Sequence, residues 1–216
     1  MDRQELAHDG SCTERERFRH TLLFGRPDRV PLSPGSPRES TLATWRTQGL
    51  PPDVDWYDYL LQVLGIPHGP RQPRVDPGVS FAMIPAFEEK VLEHRDGHYI
   101  VQDWMGAITE IADTYDCSYI RTAKDFVTRR WHRFPVQSRE DWEERMRWRY
   151  DPRDPRRFPE DFDARCRLLR ERDYPLQITI NGPFWQLREW LGFENLCMYL
   201  LDDPAWIEEV IAFWTE

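Results

Sequence analysis

The sequence predicts a mixed α/β fold: helices at the start, a β-meander in the middle, then one buried strand and more helices. Three observations carry this. Apolar residues recur at helical spacing in Trp56, Tyr59, Leu60 and Val63 and again in Ile207, Val210, Ile211 and Trp214. Two alternating runs flank Asp96-Gly97, a dipeptide suited to a tight hairpin. Residues 176–181, Leu-Gln-Ile-Thr-Ile-Asn, are β-branched and bracketed by Pro175 and Gly182.

Residues 1–12 are polar and aperiodic and read as a loose tail before one domain over residues 13–216. Ser11-Cys-Thr-Glu14 and Thr13-Glu-Arg-Glu16 both have capping-box spacing, so a first helix starts there, with Phe18, Leu22 and Leu23 as its apolar stripe and Gly25 at its end. Pro31 forbids helix and pushes Val30 toward β geometry, which predicts a short strand at residues 30–32. Helices follow at residues 39–48 and 55–64, each stopped by a glycine. Residues 68–76 read as coil.

The meander comprises strands at 90–94 and 99–103, a third at 107–112 and a fourth at 119–122. Ser138 caps a charged helix, a proline-rich joint covers 151–159, and another helix runs over 160–172. After the strand at 176–181, helices at 184–191 and 193–201 are divided by Gly192. Asp203 and Pro204 open the last one as cap and first residue.

Composition narrows the function. The 216 residues carry 29 Lys+Arg against 38 Asp+Glu, a net charge of -9, so nucleic acid is not an expected partner. Charged residues make up 31%, and no run of ~18 apolar residues occurs, so no membrane span is predicted. The first residues lack the apolar core of a secretory signal, which points to the cytoplasm. Cys12, Cys117, Cys166 and Cys197 are far apart and read as structural thiols rather than disulfides or a zinc knuckle. Only Lys90 and Lys124 are lysines, so the basic residues are nearly all Arg, the side chain that grips carboxylates bidentately.

His94 and His98 are separated by a turn rather than aligned on a helix, and no third ligand is motif-spaced, so they do not read as a metal site. Cys117 and His132 lack the context of a nucleophile pair. The motifs of nucleotide-binding loops, serine hydrolases and zinc proteases are absent, and no catalytic residue can be named. One turn stands out. Asn181-Gly182-Pro183-Phe184 passes from the expected strand into a helix, where free N–H groups gather.

Several stretches, taken in order, resemble uroporphyrinogen decarboxylase-like proteins. They are Arg15 through Pro31, ending Pro-Asp-Arg-Val-Pro; Trp45-Arg-Thr-Gln-Gly-Leu-Pro; Pro85-Ala-Phe-Glu-Glu-Lys-Val-Leu; Gly182-Pro-Phe-Trp; and Gly192-Phe-Glu-Asn-Leu through Asp203-Pro204. The resemblance runs from Thr13 to Glu216 and is nearest to poorly characterised members. It implies a (β/α)8 TIM barrel, present here as its N-terminal portion with the meander as an insertion. At 216 residues the chain is short of the ~250 of a full barrel, so a fragment is expected, inactive alone and exposing an apolar patch.

The function implied is that of a lyase in porphyrin metabolism, decarboxylating an acidic tetrapyrrole-like substrate. One alternative is a zinc-dependent methyltransferase working with a corrinoid protein. The other is a non-catalytic module. No cofactor is expected within this chain, zinc only in a complete methyltransferase, and a homo-oligomer is compatible. In the decarboxylases an Arg-rich segment follows the first strand; here Ser33-Pro-Gly-Ser-Pro-Arg38 stands instead. Arg38 and Trp45 are therefore expected to meet Asn181, Gly182, Pro183 and Phe184 at one substrate pocket, because barrel sites collect at the carboxyl ends of strands.

Overall fold

The computed structural model describes residues 12–67, 74–115 and 127–216. These divide into two compact units, Met1–Gly78 with Pro159–Ile178 and Val79–Phe158 with Thr179–Glu216.

In the first unit the helices are α1 (Glu14–Leu22), α2 (Glu39–Thr47), α3 (Trp56–Val63) and α5 (Phe162–Arg170). The start of α1 obeys local chemistry: the Thr13 hydroxyl accepts from Glu16 N–H while the Glu16 carboxylate accepts from Thr13 N–H, so two orphan amides are satisfied reciprocally. Asp55 caps α3 in the same spirit, accepting from the amides of Tyr57 and Asp58.

What α1 buries is not its apolar stripe. Leu22, Leu23 and Phe24 are exposed, whereas Arg17 is buried and grips Asp28 with two bonds, Nε to Oδ1 at 2.6 Å and Nη2 to Oδ2 at 2.8 Å. Arg17 Nη2 also donates to the Cys12 carbonyl at 2.7 Å. The guanidinium of Arg17 holds the Asp28 carboxyl far below the usual carboxylate range. This fork pins the Pro-Asp-Arg-Val-Pro turn against the helix. Arg15 closes the unit from the other side by donating to the carbonyls of Arg170 and Arg172.

The second unit holds the sheet and the remaining helices. Strands β1 (Lys90–Arg95), β2 (His98–Gln102), β3 (Ile108–Ala112) and β4 (Arg130–Arg133) form one antiparallel sheet in the order β1-β2-β3-β4. Asp96 and Gly97, both at positive φ, make the first turn as the sequence predicts. The inner face carries Val101 and Ile111, with Tyr99 and Trp104 packed on them.

Helix α4 (Arg139–Asp141) starts on the Ser138 cap and continues through a π turn at Trp142–Met146 into a 3-10 turn at Arg147–Tyr150. Helices α6 (Pro183–Leu191), α7 (Phe193–Asp202) and α8 (Pro204–Thr215) complete the chain. Their shared core contains Trp142, Met146, Leu187, Trp190, Trp206 and Ile207. Arg157, also buried, donates to the carbonyls of Asp151, Ser80, Ala82 and Arg149, so four of the five donors of its guanidinium end on backbone.

The barrel expectation is overturned. Among the described residues every strand is antiparallel and belongs to the meander, so no parallel β/α repeat of a TIM barrel is present. Residues 176–180 form no strand, and Ile178 and Ile180 are 59% and 50% exposed. Residues 30–32 form none either, and Val30 is 80% exposed. The reason is that β-propensity describes how a residue fits a half-buried sheet, and a strand needs a neighbour to supply its hydrogen bonds. Among the described residues neither segment has one.

The expected fourth strand at 119–122 and the expected tail at 1–11 lie outside the described residues. The observed fourth strand, Arg130–Arg133, was not anticipated. The helices at both ends stand where the sequence puts them, within a residue or two.

Candidate functional site

In the second unit, the Asn181-Gly182-Pro183-Phe184 turn feeds into the first turn of α6. Pro183 sits at the first helical position, where its missing N–H costs nothing, and Gly182 is the N-cap with φ -64° and ψ 158°. Having no side chain, Gly182 caps nothing. The first amide to close back is Gln186 N–H onto Gly182 C=O at 3.0 Å. The N–H groups of Phe184 and Trp185 therefore have no acceptor among the described residues. Both side chains are exposed beside them, and the Arg188 guanidinium lies 3.8 Å above the Trp185 ring.

Asn181 is held from two directions. Its Nδ2 donates to Gln186 Oε1 at 2.9 Å, and its carbonyl accepts from Trp214 Nε1 at 2.8 Å. Gln186, which is buried, donates through Nε2 to the Tyr150 oxygen at 3.4 Å, and Trp190 Nε1 donates to the same oxygen at 3.2 Å. Tyr150 is walled edge-to-face by Trp190 and Trp214, at 5.0 and 5.5 Å between centroids. Burial pushes its phenol above the ordinary value, and the two donated bonds only partly oppose this. The phenol is thus neutral at physiological pH. A polar chain from exposed Asn181 through buried Gln186 to half-buried Tyr150 fixes the turn from behind.

The other two expected site residues belong to the first unit. Arg38 is the N-cap of α2, and Trp45 packs against Trp56 at 6.2 Å between ring centroids. Asn181, Gly182, Pro183 and Phe184 are consecutive in the turn that opens α6, while Arg38 and Trp45 belong to the other unit. Gln186, Tyr150, Trp190 and Trp214 escaped the sequence reading. Gln186 and Trp190 are four apart on a helix that starts at Pro183, so they share its face; nothing in the sequence announces that Tyr150 meets them.

His94 and His132 make structural contacts. His94 Nε2 is 3.0 Å from Asp113 Oδ2 and its ring stacks on Tyr99, while His132 Nε2 is 2.7 Å from Glu110 Oε2. Among the described residues no cluster of three or more His, Cys, Asp or Glu could hold a metal, and no helix is long and apolar enough to cross a membrane. Cys12, Cys166 and Cys197 are free thiols, and Cys117 lies outside the described residues.

No family model matches the chain, and comparison with curated proteins and with solved structures finds no match either.

Proposed function

We propose that this chain is part of a uroporphyrinogen decarboxylase-like protein, and that the first turn of α6 receives one carboxylate of an acidic, tetrapyrrole-like substrate from which a carboxyl group is removed. The observation that carries the reading is the uncapped start of α6. Two amides point to one place at the positive end of a helix dipole, with exposed Phe184 and Trp185 beside them to lie along an apolar ring system. The five ordered sequence stretches support it from a different direction. No catalytic residue is assigned.

The test is Gly182→Asp. A Cβ at Gly182 meets nothing within 4 Å, and its φ of -64° suits any residue. An aspartate there would accept from the Phe184 and Trp185 amides and occupy the place of the ligand's carboxylate. The variant should therefore gain about 0.5 kcal/mol or slightly more of stability while losing ligand, because an N-cap acid also complements the dipole. The probes are uroporphyrin and its octamethyl ester, followed by quenching of tryptophan fluorescence. The parent should bind the acid and not the ester, and Gly182→Asp should bind the acid at least tenfold more weakly. Equal binding of acid and ester, or undiminished binding by the variant, would refute the proposal.

A further inference from the structure

Two arginines of the second unit meet at one aromatic ring, and one of them has no acid. The guanidinium carbon of Arg149 lies 4.0 Å from the centre of the Phe87 ring and 4.5 Å from that of Trp148, and the guanidinium carbon of Arg145 lies 6.0 Å from Phe87. Backbone holds Arg149 in that place: its Nε donates to the Arg145 carbonyl at 2.7 Å and its Nη1 to the Pro85 carbonyl at 2.6 Å. Phe87 is fixed as well. Gly106 packs so closely on it that a Cβ there would come within 2.6 Å of Cδ2.

What the cluster lacks is negative charge. Asp141 accepts from Arg145 Nη1 at 3.1 Å, and Glu143 is held by Arg147, but Arg149 makes no ion pair among the described residues. Its Nη2 donates to nothing there and is reached by solvent, and the same holds for Nε and Nη2 of Arg145. Burial, and after it the neighbouring Arg145 guanidinium, push Arg149 below its ordinary value. A guanidinium nonetheless stays charged throughout the physiological range. Two like charges fixed at a common ring repel each other, and an anion that touches both relieves the repulsion.

The open donors select the anion. They belong to two separate guanidiniums, and a planar carboxylate, whose two oxygens match a single fork, is occupied by one of them. A phosphate group has three free oxygens in a tetrahedron and accepts from both at once. Trp148, 50% exposed beside Arg149, gives apolar surface to the remainder of a phosphate ester.

We infer that Arg149 and Arg145 form a phosphate-binding site, Arg149 donating through Nη2 and Arg145 through Nε and Nη2, for free phosphate or for the phosphate group of a small ester. The site does not depend on the reading of the α6 turn.

Isothermal titration of the whole chain at constant ionic strength, above the second pKa of phosphate, reads the binding. The probes are inorganic phosphate, phenyl phosphate and benzoate. Both phosphates should saturate the parent, and benzoate should bind about tenfold more weakly than phenyl phosphate. A preference for phenyl phosphate assigns an ester as the occupant; a preference for inorganic phosphate, or none, assigns the free ion.

Arg145→Gln should weaken both phosphates about tenfold, the loss of a charged hydrogen bond. Arg149→Lys keeps the charge without the fixed fork and should do the same. Arg147→Gln removes an equal charge nearby, from a guanidinium that is paired with Glu143 and lies over Phe213, and should leave binding unchanged. Arg145→Gln leaves the Pro85 carbonyl bond of Arg149 in place, so the test stands even where the Arg149 variant unfolds. No saturable binding of phosphate by the parent, benzoate binding as tightly as phenyl phosphate, or equal losses in Arg145→Gln and Arg147→Gln would overturn the inference.

Discussion

Changing Gly192 to alanine tests the hinge between α6 and α7, where the local backbone and the packing make the same demand. Gly192 has φ 82° and ψ 160°, a region that side chains cannot enter without strain costing about 1–3 kcal/mol. A Cβ there would also lie 2.4 Å from Cδ2 and 2.5 Å from Cε2 of Phe134. The ring cannot simply step aside, because it is stacked on Trp131 at 5.0 Å with 13° between planes. Overpacking of this kind costs about 1–3 kcal/mol, and the two penalties together predict a loss of about 4 kcal/mol. Urea unfolding followed by the emission of buried Trp142, Trp190 and Trp206 measures it in the unit concerned. Gly35→Ala, where nothing lies within 4 Å and φ is ordinary, is the control and should change stability by less than about 0.5 kcal/mol. Adding Phe134→Ala to Gly192→Ala should recover at least about 1 kcal/mol relative to the sum of the single changes. A loss below about 1 kcal/mol for Gly192→Ala, or strict additivity in the pair, would refute the reasoning.

Two further outcomes concern carboxylates whose environments pull them in opposite directions. Asp28, held below the ordinary carboxylate range by Arg17, adds stability that is present above the unfolded value and is lost as pH falls below about 4. Asp28→Asn should therefore cost about 2 kcal/mol near neutral pH, the scale of hydrogen bonds to a charged group, and the gap to the parent should close in acid. Hydrogen exchange across α1 reads this, and a gap that persists in acid would count against the pair. Asp103 is the reverse case: burial raises its carboxyl, the amides of Ala107 and Met105 only partly compensate, Oδ2 has no hydrogen bond, and Arg129 Nη1 stays 4.0 Å away. A raised acid favours folding at low pH and gives that stability up as pH climbs from about 4 toward its folded value. Asp103→Asn should flatten that decline in urea-midpoint profiles, and parallel profiles for parent and variant would contradict it.

What the sequence settled by itself is local. One of the two capping boxes read at the start of α1, the Ser138 cap, the Asp96-Gly97 turn, the Pro204 start and the Gly192 stop form as read, because each needs only residues within four or five positions along the chain. The turn at Asn181, Gly182, Pro183 and Phe184 was legible as a passage into a helix for the same reason, since Pro is pre-organised for the first helical position. Only the tertiary structure decided what is buried. Arg17 took the inside of α1 in place of Leu22 and Leu23 because Asp28 comes back across the helix to meet it, and Tyr150 joined the Asn181 turn from far away in the chain. Residues 30–32 and 176–180 mark the boundary between the two kinds of knowledge. Their sequence favours a strand, but a helix closes its hydrogen bonds within itself and a strand closes them only on a neighbour, so no pattern within the segment can guarantee the partner that would make it one.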